Sequence, residues 1–154
     1  TELFASLLGE GERASISAVQ RADEPPAIVS CPDEATYAVA LRKAVAAARD
    51  DEGLSAVIAP WKHEAKRLQK LLGDDAPPLA DDTASLPAQG VVLITLKLAK
   101  GLEFDRVIVP DASERVFPAD DPLSRRRLYT TLSRATRSLV VLAHGELTPL
   151  LRKG

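Results

Sequence analysis

Between Val91 and Pro110 the chain reads VVLITLKLAKGLEFDRVIVP, and no other stretch limits the possible folds as strongly. Two short apolar runs, Val91 to Thr95 and Val107 to Pro110, have the length and residue types of strands. The charged segment between them is too short for a helix of ordinary length, so the pattern predicts a functional loop joining two strands. Within it, Lys100-Gly101 sets a cation beside the residue that accepts positive φ without steric cost, which lets backbone N–H groups turn toward an anion. Glu103 and Asp105 follow at once. Taken alone, a Lys-Gly pair is more often a plain surface turn.

The rest of the chain supplies matching elements. Leu3, Phe4, Leu7 and Leu8 give one or two apolar helical turns before Gly9-Glu10-Gly11. Ala27 to Ser30 reads as a strand, and Asp33 is suited to cap a helix whose apolar stripe is Tyr37, Leu41, Val45 and Ala48. Leu54 to Ala59 is a second strand. Pro60 then opens a helix in which Trp61, Ala65, Leu68 and Leu72 share a face, closed by Gly73. Two β-then-α units in succession predict a parallel sheet. Asp74 to Gly90 reads as a loop with a short edge strand around Leu79. A helix is expected from about Pro122 to Thr136, a strand from Leu139 to Ala143, and a short terminal helix from Leu147 to Leu151.

With 154 residues the chain suits one domain, 1–154, large enough for a proper core. Its net charge of −2 gives no global basic field, so any contact with nucleic acid has to be local. A single cysteine, Cys31, excludes an internal disulfide, and no apolar run approaches the roughly 20 residues of a membrane helix. These features predict a soluble, cytoplasmic protein without a membrane partner. The chain starts at Thr1 and has no methionine, which predicts a piece of a longer polypeptide. His63 and His144 stand alone, away from any recognised metal-ligand spacing, so no metal site is expected. Trp61 is expected in the core rather than as a stacking platform for bases.

Read together, T-L-K-L-A-K-G-L-E-F-D at Thr95 to Asp105 and R-R-R-L-Y-T-T-L-S-R-A at Arg125 to Ala135 resemble motifs V and VI of superfamily 1 helicases of the UvrD/Rep type. The D-A-S-E segment at Asp111 to Glu114 resembles the helicase IV-like branch, which includes RNA-polymerase-associated members. The resemblance implies an α/β, RecA-like (P-loop NTPase-type) three-layer domain with a mainly parallel sheet. It would be the C-terminal RecA-like (2A) domain. No G-x-x-x-x-G-K-[ST] occurs, so this domain lacks its own Walker A loop and is expected to be inactive in ATP hydrolysis by itself.

Roles follow from the resemblance residue by residue. Arg134 would be the catalytic arginine finger that reaches the γ-phosphate of ATP bound mainly by the N-terminal RecA-like domain, where Mg2+ would also be held. A guanidinium suits this work because it is always charged and binds oxygens bidentately. By composition alone Arg134 is an ordinary arginine in the last turn of a helix, favoured there by the helix dipole. Glu103 would accept a ribose hydroxyl hydrogen bond, and Gly101 would let the backbone approach the nucleotide.

Thr95 and Lys97 match the positions of a T-x-H that touches the nucleic-acid backbone in the family, with Lys100 nearby. Lysine in place of the histidine is a departure from the pattern, although it can hold a phosphate as a point charge. Ser124 and Arg125 stand where relatives carry acids. Arg125, Arg126 and Arg127 read as a solvated helix face paired with Asp120 and Asp121. The implied function is the second motor domain of an ATP-dependent DNA helicase or translocase, acting on single-stranded or duplex DNA. Two alternatives remain open from sequence: an ATP-driven remodelling factor partnered by RNA polymerase, and a non-catalytic α/β binding module.

Overall fold

The computed structural model describes residues 26–84 and 86–151. The apolar turns expected at Leu3 to Leu8 lie outside the described residues. Five strands form one sheet: β1 (Ala27–Cys31), β2 (Leu54–Ala59), β3 (Gly90–Thr95), β4 (Phe104–Val109) and β5 (Ala135–His144). Their spatial order is β1-β5-β4-β2-β3, and every neighbouring pair is parallel. The helices are α1 (Glu34–Arg49), α2 (Lys62–Leu72), the one-turn α3 (Leu96–Ala99) and α4 (Pro122–Leu132), with short 3-10 turns at Gly73–Asp75 and Pro149–Leu151.

Alternation along each strand divides the apolar side chains between two cores. Val57, Ala59, Val91, Leu93 and Ile108 face α1 and α2, meeting Tyr37, Leu41, Val45, Ala65, Leu68 and Leu72. Ala56, Ile58, Val92, Ile94, Val107, Val109, Leu139 and Val141 face the other way, toward Leu96, Ala99, Leu128 and Leu132 of α3 and α4. Helices therefore cover both sides of a parallel sheet, as expected for a RecA-like three-layer domain.

Several boundaries differ from the sequence reading. Helix α1 starts as expected, with Asp33 accepting a hydrogen bond from the Thr36 N–H at 2.8 Å. Helix α2 begins at Lys62 rather than Pro60, because Trp61 is extended and occupies the N-cap position. Strand β4 begins at Phe104, earlier than Val107, since the Phe104 N–H bonds to the Arg134 carbonyl at 2.8 Å. Helix α4 stops at Leu132, four residues short of the expectation, and Ala135, inside the expected helical span, instead opens β5. The expected edge strand at Leu79 is a single parallel bridge to Leu93, and the terminal helix is the 3-10 turn at Pro149–Leu151.

Two glycines have left-handed conformations that matter to the connections. Gly101, with φ of 84°, turns the chain between α3 and β4, and a Cβ there would meet no atom within 4 Å. Gly53 has φ of 88°, and a Cβ there would lie 2.1 Å from the Asp105 carboxylate, which accepts the Leu54 N–H at 2.9 Å.

Candidate functional site

Parallel pairing sorts the candidate residues to opposite edges of the sheet. Thr95 and Ala59, the last residues of β3 and β2, are partners, so the residues that follow them emerge together at the carboxyl edge. There Thr95, Lys97 and Leu98 line a groove of about 460 Å3 with Lys62, Leu79, Ala80 and Asp81. Lys62 and Lys97 are exposed, and neither is ion-paired with another described residue. The groove thus holds two amines and the Thr95 hydroxyl, groups suited to contact a phosphate backbone. Lys62 is 33 or more positions away from Thr95 and Lys97 and nothing in the local sequence marks it; the pairing of β2 with β3 brings it there. Lys100 does not line this groove. It caps α3, exposed, next to Gly101.

Gly101, Glu103 and Arg134 belong to the amino edge. Phe104 and Ala135, the first residues of β4 and β5, are partners, so Glu103 and Arg134 arrive side by side. Glu103 is exposed. Arg134 is half-buried and its guanidinium is tied down: Nε donates to the Thr130 carbonyl at 3.2 Å, Nη1 to the Leu102 carbonyl at 3.1 Å and Nη2 to Ser133 Oγ at 3.1 Å. Thr136 Oγ1 adds a bond to the Phe104 carbonyl at 3.2 Å. The segment from Gly101 to Glu103 and the exit of α4 are therefore joined by side-chain as well as backbone hydrogen bonds. At about 3.3 Å per residue, the two edges are separated by roughly 20 Å.

These residues fit a nucleotide contact. A guanidinium has five N–H donors and Arg134 spends three internally, so one remains on each terminal nitrogen. An exposed carboxylate stands beside it, and open space surrounds the position of a Gly101 Cβ. Among the described residues no three His, Cys, Asp or Glu side chains gather to hold a metal.

Sequence reasoning missed a charged cluster between the carboxyl ends of β4 and β2. Asp111, 4% exposed, accepts from the backbone N–H groups of Ser113 and His144 at Oδ1 and from Arg67 and Arg115 at Oδ2. Glu64, also 4% exposed, accepts from Arg67 at 3.0 Å and Arg115 at 3.1 Å. Burial works to raise the Glu64 pKa, but the bonds and charges of the two arginines outweigh it and hold the carboxyl below its ordinary range. Beside this cluster Tyr37 donates to the Pro110 carbonyl, its ring stacked on His144. Burial first, and the Asp111 charge second, push the Tyr37 hydroxyl strongly up.

Trp61 is half-buried against the core below α4, as expected, but it also stacks on His63 and lies under the Arg127 guanidinium at 5.4 Å. Arg127 pairs with Asp121 at 3.6 Å, in keeping with a solvated, acid-paired helix face. No described helix is long and apolar enough to cross a membrane.

Comparison with known proteins bears out the likeness to a UvrD-type helicase C-terminal domain. Residues 90–142 match the family model of the UvrD-like helicase C-terminal domain. The matched stretch contains Thr95, Lys97, Lys100, Gly101, Glu103 and Arg134. Among solved structures, the C-terminal domain of a possible DNA helicase from Lactobacillus plantarum WCFS1 superposes with a TM-score of 0.75 at 27% identity, over 98% of this chain and 89% of that one. Nonstructural protein 10 of an arterivirus, a helicase in complex with DNA, gives a TM-score of 0.51 at 14% identity, over 89% of this chain and 33% of that one. At that identity the likeness is one of fold alone. No curated protein matches the chain.

Proposed function

From this likeness to UvrD-like helicase C-terminal domains we propose that the chain is the second motor domain of a cytoplasmic, ATP-dependent superfamily 1 DNA helicase or translocase. It works against an N-terminal RecA-like domain that carries the phosphate loop and Mg2+. Arg134, Glu103 and Gly101 face the nucleotide between the two domains. Thr95, Lys97 and Lys62 hold the backbone of a DNA strand across the groove, and Lys100 lies on the connection between the two groups.

The observation that carries this reading is the division of the candidate residues by sheet edge, with the Arg134 guanidinium bonded to the Leu102 carbonyl next to Glu103. One rigid sheet thereby links a phosphate-type contact at its amino edge to a strand-type contact at its carboxyl edge. Closure of the interdomain cleft on ATP brings Arg134 against the γ-phosphate, where its remaining donors stabilise charge spread over the equatorial oxygens. Hydrolysis removes that contact, the cleft reopens, and the strand held at the other edge moves with the domain.

The test is ATP turnover by the polypeptide that joins this domain to its phosphate-loop domain. Arg134→Ala is expected to lower kcat by about 10³-fold or more while nucleotide binding is largely kept. Unchanged turnover overturns the assignment.

A further inference from the structure

We propose that Ser133 is a positioning residue for Arg134, its hydroxyl setting the direction in which the guanidinium presents its free donors. The proposal rests on the nucleotide-facing role given to Arg134 above. Of the three acceptors that hold the guanidinium, those of Thr130 and Leu102 are backbone carbonyls and only Ser133 Oγ belongs to a side chain. The hydroxyl has a single hydrogen, and it donates that to the Thr130 carbonyl at 3.0 Å. Toward Arg134 it acts solely as an acceptor, with its lone pairs aimed by the bond it makes.

Donor counting gives this arrangement its consequence. With Nε, one hydrogen of Nη1 and one of Nη2 committed, the unspent pair is one N–H on each terminal nitrogen, the number that two oxygens of one phosphoryl group take up together. Without the Ser133 hydroxyl the guanidinium is held only at Nε and Nη1, and Nη2 loses its fixed partner. The side chain then has more orientational freedom to lose each time the transition state forms, and orientation lost in advance is what an anchored catalytic group contributes. The anchors also come from both segments: Thr130 and Ser133 lie at the exit of α4, whereas Leu102 precedes β4. The direction of the fork therefore reports the mutual setting of the two motifs.

A serine that merely closes the last turn of α4 gives a different result from a positioning serine, and steady-state kinetics in the two-domain polypeptide separate them. Ser133→Ala is expected to lower kcat for ATP about ten- to a hundredfold, the effect of one hydrogen bond made to a charged group, with KM for ATP within about twofold and thermal melting nearly unchanged. Ser133→Thr keeps a hydroxyl and is expected to restore most of the rate. If Ser133→Ala turns over normally while Arg134→Ala is inactive, the positioning role is overturned and the role of Arg134 stands. Equal losses in the alanine and threonine variants also overturn it, because the hydroxyl is then not the active group. Normal turnover in Arg134→Ala removes the reading on which the proposal rests.

Discussion

Asp111 illustrates how much one side chain can organise. Its carboxylate accepts from the Ser113 N–H in the connection after β4 and the His144 N–H at the end of β5, and from Arg67 and Arg115 through the other oxygen. Removing one partner of a buried pair leaves the others uncompensated, and here the arginines are partly in water, which moderates the cost. Asp111→Ala is expected to destabilise the domain by about 3 kcal/mol, read as a lower urea midpoint with unchanged m. Glu64 gives the same cluster a pH dependence. Its folded pKa lies below its unfolded value, so between the two the unfolded state binds more protons and stability falls on acidification. The contribution is fully present above the ordinary glutamate value of 4.5 and is lost as pH drops through the folded value. Urea midpoints measured from neutral pH into the acid range should fall less steeply for Glu64→Gln than for the unsubstituted chain; superimposable profiles would show that the charge on Glu64 does not matter. None of this was legible locally. Glu64 and Arg67 read as ordinary charged positions on a helix, and the partners that bury them lie 44 or more positions further on.

For the elements, the legible part was what repeats within a few residues. The stripe of α1, its Asp33 cap and the apolar runs of β2 and β3 were each apparent because burial on one face imposes a helical or strand period on the sequence. The end of α4 was not. Leu128, Leu132 and Ala135 keep the helical spacing, yet the chain leaves the helix at Ser133, because pairing of Ala135 with Phe104 offers the backbone a ladder that periodicity does not reveal. The misplaced end matters to the site: Arg134 sits not in a last helical turn but in the turn joining α4 to β5, where its backbone carbonyl receives the Phe104 N–H. The turn into β2 has a similar non-local requirement. Gly53 combines positive φ with close approach to Asp105, so Gly53→Ala is expected to cost more than about 1 kcal/mol in urea unfolding. An unchanged midpoint would mean that the Leu54 N–H to Asp105 bond is dispensable.

Over the whole molecule, a net charge of −2 gives no global basic field, so the proposed nucleic-acid contact rests on a few lysines. Single-strand binding releases about 0.7 counterions per phosphate neutralised, so fluorescence anisotropy with a single-stranded oligonucleotide should give a shallow salt dependence. Lys97→Ala and Lys62→Ala are each expected to reduce the slope of log K against log salt by about 0.7. A slope unaffected by either substitution would remove the groove from the interface. The sequence by itself determined the alternation of strands and helices, the residue types of the two motifs, and the absence of a phosphate loop, because these depend on composition and spacing along a short stretch. Only the tertiary structure decided the order β1-β5-β4-β2-β3, the meeting of Lys62 with Lys97, the burial of Asp111 and the anchoring of Arg134 by Leu102 and Ser133. Strand neighbours are chosen by burial of both faces and by hydrogen-bond register between distant segments, and neither leaves a signal within the short windows in which a sequence can be read.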